Sequence, residues 1–529
     1  MAENWTRNVR ARSFHTGRAR STRTVRARST RTLRAATATA AAAATLALAL
    51  PAHAHAAPFD PAPFDPAPGA DGVGDPLFPT LGNGGYDVRH YDLSFDFTPV
   101  TYDFTGTMKI KARATRDLSS FNLDVDSPAI DAVKVNGKKA AWRIGPGQSG
   151  QELTVTPAGG LHDRRAFEVE LTYHGNGKTK PVGQPGWRYM SDGGFASAAQ
   201  ASRADTFAPV NDHPSDKATW TFHLTAPDGW TPAANGNLTG TREAAGSAGS
   251  VGSVGSVGSA VPKKTWDFSL KSPMAPELLG ISVNKQTYLY GRGPHGVKLR
   301  HLVPEGQEAK YRPIAEETGG QLAWLEKTLG VRYPFDTYGV QIVRDGYSDA
   351  LENQTLSLFG PSWFDRPTYS TTMVHELTHQ WFGDSVTPAT WQDAWLNEGP
   401  AVYYAAVWAD RKGFQPIEEK MKTAYAKLDA VRKTDGPPGK PTGLGGFNIY
   451  DGAAVSLYAL NQRIGQEKFE AVMKSWLTEH RHGNASTRDF IDNAVEVTGD
   501  SSVGTFLNHW LFDLDNPPMP GHPDWGVAK

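Results

Sequence analysis

The stretch "VHELTHQWFGD", residues 374–384, carries two histidines four apart with a glutamate directly after the first. At 3.6 residues per helical turn, His375 and His379 leave the same face one turn apart, so both imidazoles can reach one ion. Glu376 is rotated about 100° from His375, too far round to be a third ligand but close enough to reach a water on that ion. By itself the pattern arises by chance in roughly a few chains in a hundred of this length. A metal needs another protein ligand, and with no cysteine in the chain it must come from His, Asp or Glu.

Glu398 meets that need. Eighteen residues lie between it and His379, and it sits in "WLNEGPA", 395–401. A second helix starting here and packed on the first brings the carboxylate to the two imidazoles, with Pro400 in its first turn, where proline is tolerated. Two neutral histidines and one carboxylate leave the fourth position of a single Zn2+ open to water, the catalytic rather than the closed structural arrangement. Zinc lowers the pKa of such a water towards about 7, and Glu376 is placed to take its proton.

Away from this helix the chain divides by period. From about residue 80 it alternates in twos: Tyr91, Leu93, Phe95 and Phe97 against Asp92, Ser94 and Asp96, then Met108, Ile110, Ala112 and Ala114 against Lys109, Lys111 and Arg113. Such alternation gives strands with one buried face, and "VNGKK", 135–139, supplies an Asn-Gly hairpin turn. Residues 80–303 therefore read as an antiparallel β-domain, interrupted by a Gly/Ser-rich flexible loop at 244–260. From 304 to 529 the period becomes helical. Ala315, Leu322, Leu325 and Leu329 share a face before Gly330, "YGVQIV" at 338–343 reads as a strand, and 466–480 places Phe469, Val472, Met473, Trp476 and Leu477 on one stripe. Ser486 and Asp489 have capping-box spacing.

The amino-terminal segment has a different chemistry. Residues 1–57 carry ten arginines, no lysine and one acid, followed from residue 35 by an alanine-rich apolar run and two overlapping "AHA" sites. This reads as a cleaved export signal of the general secretory type, which places the mature protein outside the cytoplasm. The Pro-rich repeat "APFDPAPFDPAPG" marks 58–79 as a disordered spacer. Without the signal, 44 basic residues stand against 54 acidic ones, a balance that excludes nucleic acid as a partner. No later segment is apolar enough to span a membrane.

"HELTH", followed by the Glu of "NEG", resembles the M1 family of zinc aminopeptidases, the gluzincin branch. "DALEN", 349–353, stands where that family has Gly-Ala-Met-Glu-Asn, and "YDGAAV", 450–455, resembles its Tyr-x-Lys-Gly-Ala segment. "GNGGYDVRHYDL", 82–93, and "PVNDHPSDKAT", 209–219, are similar to its β-domain signatures. The resemblance implies a β-sandwich or saddle domain followed by a thermolysin-like α-rich zinc-peptidase domain, acting as a monomer on peptides with a free N-terminus.

The resemblance also assigns roles. It makes Glu352 the carboxylate that binds the substrate's α-ammonium, with Gln200 from the β-domain lining the same pocket. Ala350 and Asn353 belong to the substrate-binding stretch, whose backbone holds the peptide extended. Tyr450 becomes the hydroxyl that stabilises the developing oxyanion. Asp349 and Leu351 replace Gly and Met of the family motif, and Pro400 replaces a bulky residue, so specificity is where this chain departs. Only 79 residues follow Tyr450; the long C-terminal helical domain of larger members would then be missing and the cleft more open. Two other readings follow from the same residues: a thermolysin-like endopeptidase with an open cleft, and a zinc-bearing binding protein without catalysis. Nothing in the chain points to the epoxide hydrolysis found in one branch of the family.

Overall fold

The computed structural model describes residues 64–146, 151–179, 186–244 and 261–526; from Asp65 onward they form one compact unit. The export signal expected at 1–57, residues 58–63 of the expected spacer and residues 245–260 of the Gly/Ser loop lie outside the described residues.

The alternating segments become long strands. β1 (Tyr86–Thr98) and β2 (Asp103–Ala114) pair antiparallel, with Tyr91 opposite Ile110, and they lie in the middle of an eight-stranded sheet. Tyr91, Leu93, Phe95 and Phe97 all point into the core. Asn136 and Gly137 take positive φ in the hairpin turn between Ala129–Val135 and Lys138–Lys139. The sheet is not wholly antiparallel: the strand Ala218–Pro227 runs parallel to β1, with Phe222 beside Leu93. A four-stranded sheet containing β3 (Trp187–Tyr189) and β4 (Phe195–Ser197) shares the same core. Trp187 packs there on Phe195, with 4.5 Å between ring centroids.

Two expectations about domain limits change. The spacer expected at 58–79 is ordered from Phe64 onward. Ala67–Pro68 pairs in parallel with the strand Leu118–Val125, and Asp75 is buried where it accepts the Trp391 N–H at 2.6 Å. Proline density lowers the number of backbone donors but does not forbid a strap whose polar groups find partners far along the chain. The boundary expected at 303/304 moves back by one hairpin. β5 (Gln286–Arg292) and β6 (Lys298–Pro304) belong to the sheet that also holds β7 (Val340–Ile342), β8 (Ala350–Leu351) and β9 (Ser357–Phe359), in the order β5-β6-β7-β9-β8. The hairpin keeps the period of the preceding strands, and only its pairing in space, Leu302 beside Gln341, shows which domain it serves.

Eight α-helices follow among the described residues: α1 (Glu308–Leu329), α2 (Tyr369–His379), α3 (Trp395–Arg411), α4 (Ile417–Asp435), α5 (Asp451–Ile464), α6 (Gln466–Glu479), α7 (Thr487–Thr498) and α8 (Ser501–Phe512). Gly330 ends α1 in the left-handed region, and the Ser486–Asp489 capping box opens α7. Pro400 is placed differently from expectation. A short 3-10 turn, Trp391–Asp393, runs almost directly into α3, so the helix starts at Trp395 and Pro400 lies inside it. There it withholds one i→i−4 bond.

Candidate active site

The last turn of α2 and the first turn of α3 meet at a cluster of three side chains. The Nε2 atoms of His375 and His379 are 3.2 Å apart, and Glu398 Oε2 lies 3.6 Å from the first and 3.4 Å from the second. All three residues are buried. His379 Nδ1 faces the Phe382 carbonyl at 3.2 Å, which places the proton on Nδ1 and the lone pair of Nε2 toward the cluster. Two imidazole nitrogens and a carboxylate oxygen this close form a donor set that can hold a cation between them. A tetrahedral zinc with bonds of about 2.0–2.1 Å separates its ligands by about 3.3–3.4 Å, the size of the observed triangle. Glu398 Oε2 has no hydrogen-bond partner among the described residues, although it is buried, as a ligand atom held for a metal would be. The donor set and its dimensions fit one zinc.

The electrostatics follow from burial and crowding. Despite burial, His379 and His375 hold the Glu398 carboxyl down at about 2, so it stays an anion. Glu376 is fully enclosed, and burial followed by the neighbouring Glu352 carboxylate pushes it well above the usual carboxyl range.

Glu352 follows the edge strand β8 and is buried. Gln200, three residues beyond the end of β4, reaches across from the β-domain and donates its Nε2–H to Glu352 Oε1 at 2.6 Å. Tyr450 is the residue just before α5. Burial, then the Glu398 and Glu352 carboxylates, push its phenol well above the usual range, so it keeps its proton. These groups, with Ala350, Glu376 and the three cluster residues, line one cleft.

Asn353 does not join them. It is buried against Gly280, where a Cβ on the glycine would lie 3.0 Å from Asn353 Cβ, and it supports the turn after β8 through its carbonyl, which accepts from Leu356 N. Asp393, a support rather than a participant, accepts from Thr487 and Thr390. His482 is half-buried against Phe335. Burial holds its ring down at about 4. Arg188 and Tyr347 also line the cleft and were not singled out from sequence. Arg188 sits in an ordinary β-strand pattern, and only the packing of the two domains brings it to the site.

Two family models match the chain: the peptidase M1 N-terminal domain over residues 88–248 and the peptidase family M1 domain over residues 314–510. Among curated relatives, aminopeptidase N of Streptomyces lividans is 26% identical over 473 residues, covering 80% of this chain and 50% of the relative. Aminopeptidase 2, mitochondrial, of Saccharomyces cerevisiae is 25% identical over 479 residues, covering 81% and 46%. The chain thus spans about half the length of these relatives. A crystal structure of an M1 zinc metallopeptidase variant from Deinococcus radiodurans, bound to a Tyr-Ser-Ala substrate, superposes with a TM-score of 0.71 at 28% identity, covering 85% of this chain and 100% of that one. A two-domain M1 zinc metallopeptidase variant bound to L-arginine gives a TM-score of 0.73, also at 28% identity, covering 85% of this chain and 99% of that one. With both family domains in order and a whole solved chain matched from end to end, this protein belongs to peptidase family M1 and has its two-domain fold, a β-rich N-terminal domain followed by an α-rich catalytic domain.

Proposed function

We propose that the protein is an exported zinc-dependent aminopeptidase that removes the first residue of peptides with a free N-terminus. The observation that carries this reading is the Gln200–Glu352 contact beside the His375–His379–Glu398 cluster. A buried carboxylate in the cleft suits an ammonium group, and holding that group there sets the first peptide bond over the cluster. When bound by His375, His379 and Glu398, zinc supplies Lewis acidity to a carbonyl and lowers the pKa of water. Glu376 takes the proton of the attacking water and returns it to the leaving amine. Tyr450, still protonated, donates its hydroxyl to the oxygen on which negative charge develops. The mature chain works as a monomer with one zinc. The Arg-rich and alanine-rich residues 1–57 support export, and among the described residues no helix is long and apolar enough to cross a membrane.

The test uses zinc-loaded protein on alanyl-p-nitroanilide and on N-acetylated peptides. Hydrolysis of the free-amine substrate with the blocked peptides spared is the expected result. Cleavage of blocked peptides alone would replace the aminopeptidase with an endopeptidase. Glu352→Gln should lower kcat/KM for free-amine substrates by about 10- to 100-fold, the range of one charge-assisted hydrogen bond, while zinc content by elemental analysis stays at the wild-type level.

A further inference from the structure

The stretch "PVNDHPSDKAT", 209–219, brings a serine and a histidine into line with an aspartate from far along the chain. Ser215 is exposed, and its Oγ lies 2.7 Å from His213 Nδ1. The His213 ring is buried, and its Nε2 lies 3.2 Å from Oδ2 of the buried Asp75. The backbone fixes where the ring proton sits. The Ser215 N–H points at His213 Nδ1 at 3.1 Å. An amide only donates, so Nδ1 carries the lone pair and Nε2 the hydrogen. Nε2–H therefore donates to Asp75, and the Ser215 hydroxyl donates to Nδ1. A hydroxyl on the lone pair of an imidazole whose other nitrogen is held by a carboxylate is the arrangement that activates a serine. The two ring nitrogens exchange places relative to the usual serine hydrolase order, and the direction of proton transfer is the same.

The surroundings hold all three groups. A Cβ on Gly82 would fall 2.6 Å from His213 Cβ, so main chain backs the histidine. The Asp216 N–H donates to the His213 carbonyl at 3.0 Å and closes the turn that carries Ser215. Asn484 of the catalytic domain donates to the Pro214 carbonyl at 2.8 Å. Asp75 also accepts from the Leu77, Phe78 and Trp391 N–H groups, which fixes the carboxylate against the ring. Its charge stabilises the imidazolium that forms when Nδ1 takes a proton. Ser215 is not among the residues lining the cleft of the His375–His379–Glu398 cluster.

We propose that Ser215 is a second nucleophilic centre, with His213 as its base and Asp75 orienting the ring, and that it accepts acyl groups from small activated esters and phosphonyl groups from fluorophosphonates. With an aryl ester, the Ser215 Oγ–carbon bond forms and the ester carbon–oxygen bond breaks. The hydroxyl proton passes to His213 Nδ1 and from there to the departing phenolate. Water then attacks the acyl group with His213 again as base, releasing the acid and restoring the hydroxyl. With a fluorophosphonate, the Oγ–phosphorus bond forms, fluoride leaves with the proton, and the adduct stays. The proposal stands apart from the aminopeptidase reading, since it uses neither the metal nor the cleft.

The test treats the folded protein with a fluorophosphonate and locates the adduct by mass spectrometry. Release of p-nitrophenolate from p-nitrophenyl acetate is followed after o-phenanthroline has stripped the metal. Ser215 should be labelled far faster in the folded protein than in the urea-unfolded chain. Ser215→Ala should lose both the label and the metal-free ester hydrolysis. His213→Asn keeps an acceptor near the Nδ1 position but supplies no base, so labelling should slow by about 100-fold or more. Equal labelling of Ser215 in folded and unfolded wild-type protein overturns the proposal and leaves the three side chains as a staple of the turn. So does unchanged labelling in a folded His213→Asn protein, or equal p-nitrophenolate release by the wild-type and Ser215→Ala proteins. Where His213→Asn fails to fold, the comparison of folded with unfolded wild-type protein and the Ser215→Ala protein decide.

Discussion

Each of the three cluster side chains contributes one atom, and the role proposed for them separates by substitution from that proposed for the neighbouring Glu376. His375→Ala removes one of the three proposed ligands, so zinc content measured by elemental analysis should fall with activity; full zinc in this variant would take His375 out of the ligand set. Glu376→Gln keeps the shape and leaves all three ligands in place. On the proposed mechanism it removes the group that takes the proton, so kcat should fall by about 100- to 10,000-fold with zinc unchanged. The pair of results distinguishes a ligand from a base although the two residues are adjacent. At this scale the sequence was highly legible, because helical spacing alone puts His375 and His379 on one face. Glu398 could be found by its distance along the chain. Gln200 and Tyr450 needed the resemblance to a family. Arg188 had no local signal, since a strand arginine has the same sequence context whether it faces solvent or a cleft made by another domain.

The pairing of α2 with α3 positions Glu398, and α3 is held from behind by α5. Gly399 sits where those helices touch: a Cβ there would lie 2.7 Å from Ala453 Cβ, nearer than two methyl groups can come. The glycine of "NEG" is therefore explained by close helix approach. Gly399→Ala should force α3 away from α5 and destabilise the protein by about 1–3 kcal/mol, the range for overpacking a tight core. The displaced helix carries Glu398, so zinc affinity should fall as well. Thermal unfolding with zinc titration checks both effects; an unchanged melting temperature would show that the helices give way without strain. Most elements could be read because their apolar period is local: the stripe Phe469, Val472, Met473, Trp476 and Leu477 is buried on α6 as expected. The start of α3 could not, because Trp391–Asp393 coils before it, and this moves Pro400 from the first turn to the interior.

Across the whole molecule the two domains are joined by contacts that no local pattern announces. The Lys217 ammonium, on the β-domain, donates to the Asp384 and Ser385 carbonyls at 2.9 Å and to Thr387 Oγ1 at 2.7 Å in the catalytic domain. Asp75 makes a comparable joint from the stretch that composition assigns to a spacer. Its Oδ1 accepts from Leu77 and Phe78 N–H at 2.8 and 2.9 Å, and its Oδ2 accepts from Trp391 N–H at 2.6 Å and faces His213 Nε2 at 3.2 Å. Burial opposes the charged carboxylate, but the His213 contact and the three backbone donors outweigh it and hold Asp75 below the usual carboxyl range. A carboxyl lowered by folding contributes stability above its unfolded pKa of about 3.9, and loses it as the pH falls through the folded value. Asp75→Asn keeps the shape but leaves one face of the side chain with N–H groups opposed to N–H groups. It should therefore cost about 2–3 kcal/mol at pH 7, where hydrogen bonds to a charge are lost. The difference from the wild-type protein should shrink as the pH falls below the unfolded value of about 3.9, where the unfolded chain takes up a proton that the native carboxylate resists. Chemical denaturation of both proteins at pH 7 and near pH 3 measures this; an equal gap at both values would remove the ionised carboxylate from the account of how the segment is held.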